Sequence, residues 1–275
     1  MTQATHAGAP RTPSPYLRAR AAVGAEWIKL RSVRSILVSL AVTAVICVGL
    51  AVLVASNYAT SWATRDAAQR AGFNPFDVTI QFVFFGVVFF GVLGALVVTS
   101  EYGNGLIRTT LAATPQRALV LAAKTGLFGV VALFSSAAIC LTAFLAGQGI
   151  LSGRAPSVGL GDPGVPGHLL GAIFYLTVGG LMGVFIGVLS RSTAVAISTV
   201  FGLFLVLPLL LQYLPQGLVW RHTVPYLPSF AGLVLYQTDA GSDHLLAPAA
   251  GVLVLAAYLV VFGTAAVVSL RGRDA

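Results

Sequence analysis

Charge is what this sequence has least of. Only 9% of its 275 residues are Asp, Glu, Lys or Arg, against about 25% in soluble globular domains. Lysine is scarcer still, with Lys29 and Lys124 the whole supply. Neither follows a glycine, so the sequence has no G-x-x-x-x-G-K-[ST] phosphate loop, and ATP binding by that common route is excluded. The two cysteines, Cys47 and Cys140, both fall inside apolar runs, which excludes a disulfide framework and reads them as small buried hydrophobes. There is no C-x-x-C and no H-E-x-x-H. His6, His168, His222 and His244 lie in the tail or in polar connectors at no metal-ligand spacing. No catalytic residue, no metal site and no cofactor of the chain's own is therefore expected. Basic residues without interleaved aromatics give no nucleic-acid footprint either.

What is present is apolar length. Hydrophobic residues make up 57% of the chain, and the mean hydropathy is +0.90. A span needs about 20 apolar residues to cross a hydrocarbon core of about 30 Å. Six segments qualify: about Ile36–Ala55, Ile80–Thr99, Leu119–Leu145, Leu169–Leu189, Thr193–Leu214 and Leu246–Leu270. None has a charge at its centre, where each would cost about 2.5–3.5 kcal/mol. The fold class predicted is all-α, a single six-helix transmembrane domain over residues 35–275. The third segment is long enough for its first turns to project beyond the membrane. The first begins too late and runs too long for a cleaved signal peptide.

Residues 1–15, with three prolines, predict a disordered tail. Residues 16–34 differ. Tyr16, Val23, Trp27 and Leu30 recur at helical spacing, with Arg18, Lys29 and Ser32 opposite. That pattern predicts an amphipathic helix on the membrane surface. Arg20 and Arg34 intrude on the stripe, and the alternative is a basic flank that only sets topology. Pro215–Leu245 is long and mostly apolar, which predicts short helices dipping back toward the membrane.

The charges orient the chain. With the N-terminus inside, twelve basic residues are cytosolic (Arg11, Arg18, Arg20, Lys29, Arg31, Arg34, Arg108, Arg117, Lys124, Arg191, Arg271 and Arg273) and four are outside (Arg65, Arg70, Arg154 and Arg221). This asymmetry predicts both termini in the cytosol, as an even number of spans also demands. The net charge of +8 then reflects topology and contact with anionic lipid. The fourth segment carries Gly179, Gly183 and Gly187 every four residues, a stripe that lets another helix come close. Its partner is either a neighbouring span of the same chain or a second copy. Ala194, Ser198 and Gly202 form a weaker stripe in the fifth.

The longest polar interruption on the cytosolic side is Ser100–Lys124. Gly103 and Gly105 are expected to break the helix leaving the second segment. Leu106–Ala113 can form two helical turns. Thr114 is a good N-cap and Pro115 fits a first helical position, so the next helix starts there. A short helix held between two stiff joints transmits a push; an ordinary connector is the plainer alternative.

Two stretches carry a resemblance. Glu26-Trp27-Ile28-Lys29-Leu30-Arg31-Ser32 is similar to the segment before the first span of type-2 ABC transporter permeases. Thr99-Ser100-Glu101-Tyr102 through Gly105, then Ile107-Arg108-Thr109-Thr110-Leu111, Pro115-x-Arg117 and Lys124, resembles that family's loop between spans two and three. Near Leu106 the family often has another residue, such as threonine. The resemblance implies a permease subunit of a bacterial plasma-membrane exporter, paired with a second permease subunit, identical or not. ATP and Mg would bind a separate ATP-binding subunit. It implies that Trp27, Lys29, Arg31, Glu101, Tyr102, Arg108, Thr109, Leu111 and Arg117 face that subunit. The apolar composition favours a hydrophobic or amphiphilic substrate. The competing readings are a non-transporting membrane scaffold or immunity-type protein, and an ATP-independent channel.

Overall fold

The computed structural model describes Gly24, residues 34–103, 117–211, Tyr213, 217–238 and 246–272. The tail and nearly all of the expected amphipathic segment lie outside these residues. So does the expected short helix Leu106–Ala113.

Among the described residues there are helices and turns and no strand. The chain runs α1 (Arg34–Ser61), a 3₁₀ turn (Trp62–Thr64), α2 (Ala67–Ala71), α3 (Pro75–Ile80) and α4 (Val83–Gly103). It continues with α5 (Arg117–Leu151), α6 (Val165–Ser190), α7 (Thr193–Phe201), a π turn (Gly202–Val206) and α8 (Leu207–Leu211). The last elements are α9 (Leu218–Thr223), α10 (Pro228–Tyr236) and α11 (Pro248–Gly272). Six helical stretches are long and apolar enough to cross a membrane: Ile36–Thr64, Pro75–Tyr102, Ala118–Leu151, Val165–Ser190, Thr193–Leu211 and Pro248–Leu270. The protein is a multi-pass membrane protein, with spans where hydropathy predicts them. At 35 residues, α5 is about 52 Å long, so it does outrun the hydrocarbon core. The segment 217–238 does form short helices, and α10 is buried along eight of its nine residues.

The spans are not equivalent. Within their most apolar windows the second and fourth are 72% and 78% buried, the first and sixth only 17%. So α4 and α6 form the centre, and large side chains of α1 and α11, such as Val45, Leu53, Leu253 and Val260, stay exposed on the outside of the bundle, where a surrounding of hydrocarbon would not penalise apolar area. The centre is tight because glycines allow it. A Cβ added to Gly183 would sit 1.9 Å from the Gly91 carbonyl oxygen, and one on Gly94 would sit 2.0 Å from that of Gly180. A Cβ on Gly179 would strike Val87, and one on Gly187 would lie 3.0 Å from the Ala95 carbonyl. The glycine stripe of α6 thus packs on α4 of its own chain. The weaker stripe does not share this: Ala194 and Ser198 are exposed, and Gly202 has open space beside it.

Several polar groups inside the bundle are matched by hydrogen bonds between neighbouring elements. Ser136 Oγ on α5 donates to the carbonyls of Leu133 (3.0 Å) and Ile173 (3.3 Å) and lies 3.2 Å from Thr177 Oγ1, joining α5 to α6. Gln148 does the same at one end. Its Nε2 donates to the Pro75 carbonyl (2.8 Å) and Thr79 Oγ1 (3.2 Å), while its Oε1 accepts from the Val158 amide (2.9 Å). In the fifth span Pro208 supplies no N–H. The π turn shifts the ladder so that the Leu207 amide bonds Gly202, and by that register the Leu203 carbonyl would have taken the proton proline lacks. Ser229 Oγ, from α10, donates to it instead at 3.1 Å.

Candidate functional site

The residues with most to say about function gather where α4 ends and α5 begins. Glu101 lies in the last turn of α4, and Lys124 is the eighth residue of α5. Lys124 Nζ lies 2.8 Å from Glu101 Oε1, with both side chains less than a tenth exposed. A lone buried charge is expensive, whereas a close, hydrogen-bonded pair is tolerated because each charge replaces lost water for the other. Position on α5 matters too. Lys124 is about 10 Å along the helix from Arg117, so the pair sits near the end of α5 that follows residues 104–116. It clamps together the two helices from which residues 104–116 emerge.

A second cation joins from across the bundle. The chain reverses between α6 and α7 through Ser190–Ser192, and Arg191 makes this turn with φ 53°, the left-handed region. For a residue with a Cβ that conformation costs about 1–2 kcal/mol. Its amide caps α6 by donating to the Gly187 carbonyl at 3.1 Å. Its guanidinium lies 5.9 Å over the Tyr102 ring and donates to the Ser269 carbonyl on α11 at 3.4 Å. Tyr102 adjoins Glu101, so one cluster connects α4, α5, the α6–α7 turn and the end of α11. Three buried polar atoms on these elements, Thr99 Oγ1, Thr125 Oγ1 and Arg191 Nε, have no hydrogen-bond partner among the described residues.

Of the residues expected to face an ATP-binding subunit, Glu101 and Tyr102 belong to this cluster. Arg117 begins α5. Trp27, Lys29, Arg31, Arg108, Thr109 and Leu111 lie outside the described residues. Gly179, Gly183 and Gly187 are elsewhere, in the α4–α6 contact. Sequence reasoning placed Lys124 as a cytosolic charge and a match to a family lysine, and Arg191 only as a topological charge. The signal for the first was available: an acid and a base at facing ends of two spans joined by a short connector have little choice but to meet. Nothing in the sequence pointed to Arg191, whose role depends on how the second, fourth and sixth spans converge.

The arrangement is suited to holding helix ends together and to responding when they are pulled. Among the described residues no group of three or more His, Cys, Asp or Glu comes together as a metal site. Compared with known proteins, the chain matches no family model and no curated protein.

Proposed function

We propose that the chain is the membrane-spanning permease subunit of an ABC-type exporter in a bacterial plasma membrane. A separate ATP-binding subunit would hydrolyse ATP, a second permease subunit would complete the pathway, and the substrate would be hydrophobic or amphiphilic. The observation that carries this reading is the buried Glu101–Lys124 pair. It ties together the two helices that flank the stretch with the permease-like motif, so a force applied at residues 104–116 would reach both spans at once. An ordinary connector between two lipid-soluble helices has no need of a buried ion pair at its base. Rim spans with weak burial around a tight α4–α6 centre leave surfaces on which a second permease subunit can pack.

On this reading ATP draws two partner subunits together, they displace residues 104–116, and α4 and α5 follow as one piece. The test is Arg108→Glu. It is expected to weaken co-purification with the cell's ATP-binding subunit, or ATP-dependent transport, while membrane insertion stays normal. Unchanged association and transport would overturn the assignment of this stretch. A wild-type chain that retains no ATPase after mild solubilisation would overturn the exporter reading itself.

A further inference from the structure

The end of the bundle away from Lys124 carries a pocket of about 440 Å³, formed where α1 ends and α3 begins, within the size range of small-molecule sites. Tyr58, Arg65, Gln69, Asp77, Gln81 and Gln237 are among the side chains around it. Its frame is built from local contacts. Phe73 packs on Tyr58 (ring centroids 5.2 Å apart) and on Trp62 (4.7 Å). Asp66 and Gln69 cap α2 reciprocally. Asn74 Oδ1 accepts from the amides of Phe76 and Asp77 at the start of α3, and its Nδ2 bonds Thr238 Oγ1.

The charges of this pocket are unevenly engaged. Asp77 is fully used: its Oδ1 accepts from the Thr238 amide (3.0 Å) and its Oδ2 from Thr238 Oγ1 (2.8 Å). Arg65 is not. It is half-buried, its guanidinium carbon lies 3.9 Å from the centre of the Tyr58 ring, and its Nε donates to Ser61 Oγ at 3.1 Å. Among the described residues no carboxylate lies within ion-pair distance of it. The fork is thus oriented by an aromatic face and one hydrogen bond, with its terminal nitrogens uncommitted. Gln81 and Gln237 add amides with no side-chain bond to the described protein, each able to donate and accept.

We propose that this pocket binds a phosphate group carrying hydrogen-bonding substituents, with Arg65 gripping the phosphate and the glutamine amides reading its ester or hydroxyl neighbours. Guanidinium geometry matches a phosphate bidentately, and an arginine without a carboxylate lacks its anion until the ligand supplies one. The aromatic trio Tyr58, Trp62 and Phe73 marks headgroup depth, so the phosphate can come from a lipid headgroup or from solution. The assignment stands apart from the transport reading, since none of these residues touches the Glu101–Lys124 cluster.

The test uses the full chain purified in a phosphate-free sugar detergent. Binding is measured calorimetrically for a short-chain phosphatidylglycerol, for glycerol phosphate, and for the matching phosphate-free diacylglycerol. Wild type is expected to bind at least the phosphatidylglycerol and to ignore the diacylglycerol. Binding of glycerol phosphate as well assigns the site to free phosphates; binding of the lipid alone assigns it to headgroups. Arg65→Gln is expected to weaken binding at least tenfold, and Gln81→Leu, at an exposed position, to weaken it severalfold with the fold intact. Arg70→Gln removes a nearby cation that does not line the pocket and is expected to change binding less than twofold. No binding by wild type, equal binding of the diacylglycerol, or equal losses in the Arg65 and Arg70 variants would overturn the proposal.

Discussion

Gly183→Ala adds one methyl group at the most crowded point of the molecule. The new Cβ would lie 1.9 Å from the Gly91 carbonyl oxygen, 2.7 Å from its carbon and 2.9 Å from its Cα. Even a favourable carbon–oxygen contact needs about 3.3 Å, so α4 and α6 would have to separate by about 1.4 Å at this level. All three opposing atoms are backbone, and no rotamer can relieve them. A gap of 0.5–1 Å already forfeits about a quarter to a half of each van der Waals well, and the neighbouring contacts at Gly179–Val87, Gly94–Gly180 and Gly187–Ala95 share the displacement. The expected loss is about 3 kcal/mol, the upper part of the overpacking range. The control is Gly126→Ala on α5, where an added Cβ meets nothing within 4 Å; there alanine's better helix propensity predicts a gain of up to about 1 kcal/mol. The protein carries its own reporter, because Cys47 and Cys140 are both fully buried and a thiol-reactive dye reads their exposure on heating or in denaturing detergent. A Gly183→Ala protein as stable as wild type, or a Gly126→Ala protein that loses as much, would refute the backbone-contact account of the central pair.

Two further outcomes follow from polar groups in the bundle. Lys124→Met alone is expected to cost up to about 3–5 kcal/mol by removing the buried charge that lies 2.8 Å from the Glu101 carboxylate, whereas adding Glu101→Gln restores part of the loss; the same dye measurement on both variants checks it, and a single variant as stable as wild type would disprove a buried pair. Ser229→Ala leaves the Leu203 carbonyl without its donor and is expected to cost about 1–3 kcal/mol. In a Pro208→Ala background, where the backbone regains an N–H, the same change is expected to cost less, and equal costs in the two backgrounds would show that Pro208 is not the reason for the bond.

The six spans were legible because hydropathy over twenty residues is a bulk property that no tertiary detail can disguise. The glycines of α6 were legible as a close-packing face, but their partner was not. Gly91 and Gly94 sit in a run of Val, Phe and Leu whose own period is blurred by apolar residues on every side, so the sequence left a neighbouring span and a second copy equally open. Packing removes that ambiguity, because both faces are consumed within one chain. The Glu101–Lys124 pair was half legible. Each charge was noticed, but one was read as a contact for another protein and the other as a family match, since one-dimensional reading assigns a charge at a helix end to solvent or topology first. Arg191 was illegible: its left-handed turn, its stacking on Tyr102 and its bond to Ser269 exist only once α6, α4 and α11 converge.

The distribution of these contacts says which parts of the bundle can deform. The α4 and α6 helices meet backbone to backbone at Gly91–Gly183 and Gly94–Gly180, so they cannot slide past each other without first separating. The α5 helix is fastened to that unit at three depths, by Lys124, by Ser136 and, through α3, by Gln148. These three helices therefore behave as one body. The fifth span is built differently: its helical ladder is interrupted by a π turn and Pro208, and it takes a hydrogen bond from α10 to make up the loss. Irregular backbone in a span is where bending costs least, because the ladder there is already broken and a side chain can be exchanged for another. Under the proposed coupling, a displacement of residues 104–116 would enter the rigid body through α4 and α5 and leave it at the Arg191 turn, which feeds directly into α7. The shape change would then concentrate at Gly202–Pro208, within the fifth span, rather than at the glycine-packed centre that the sequence makes most conspicuous.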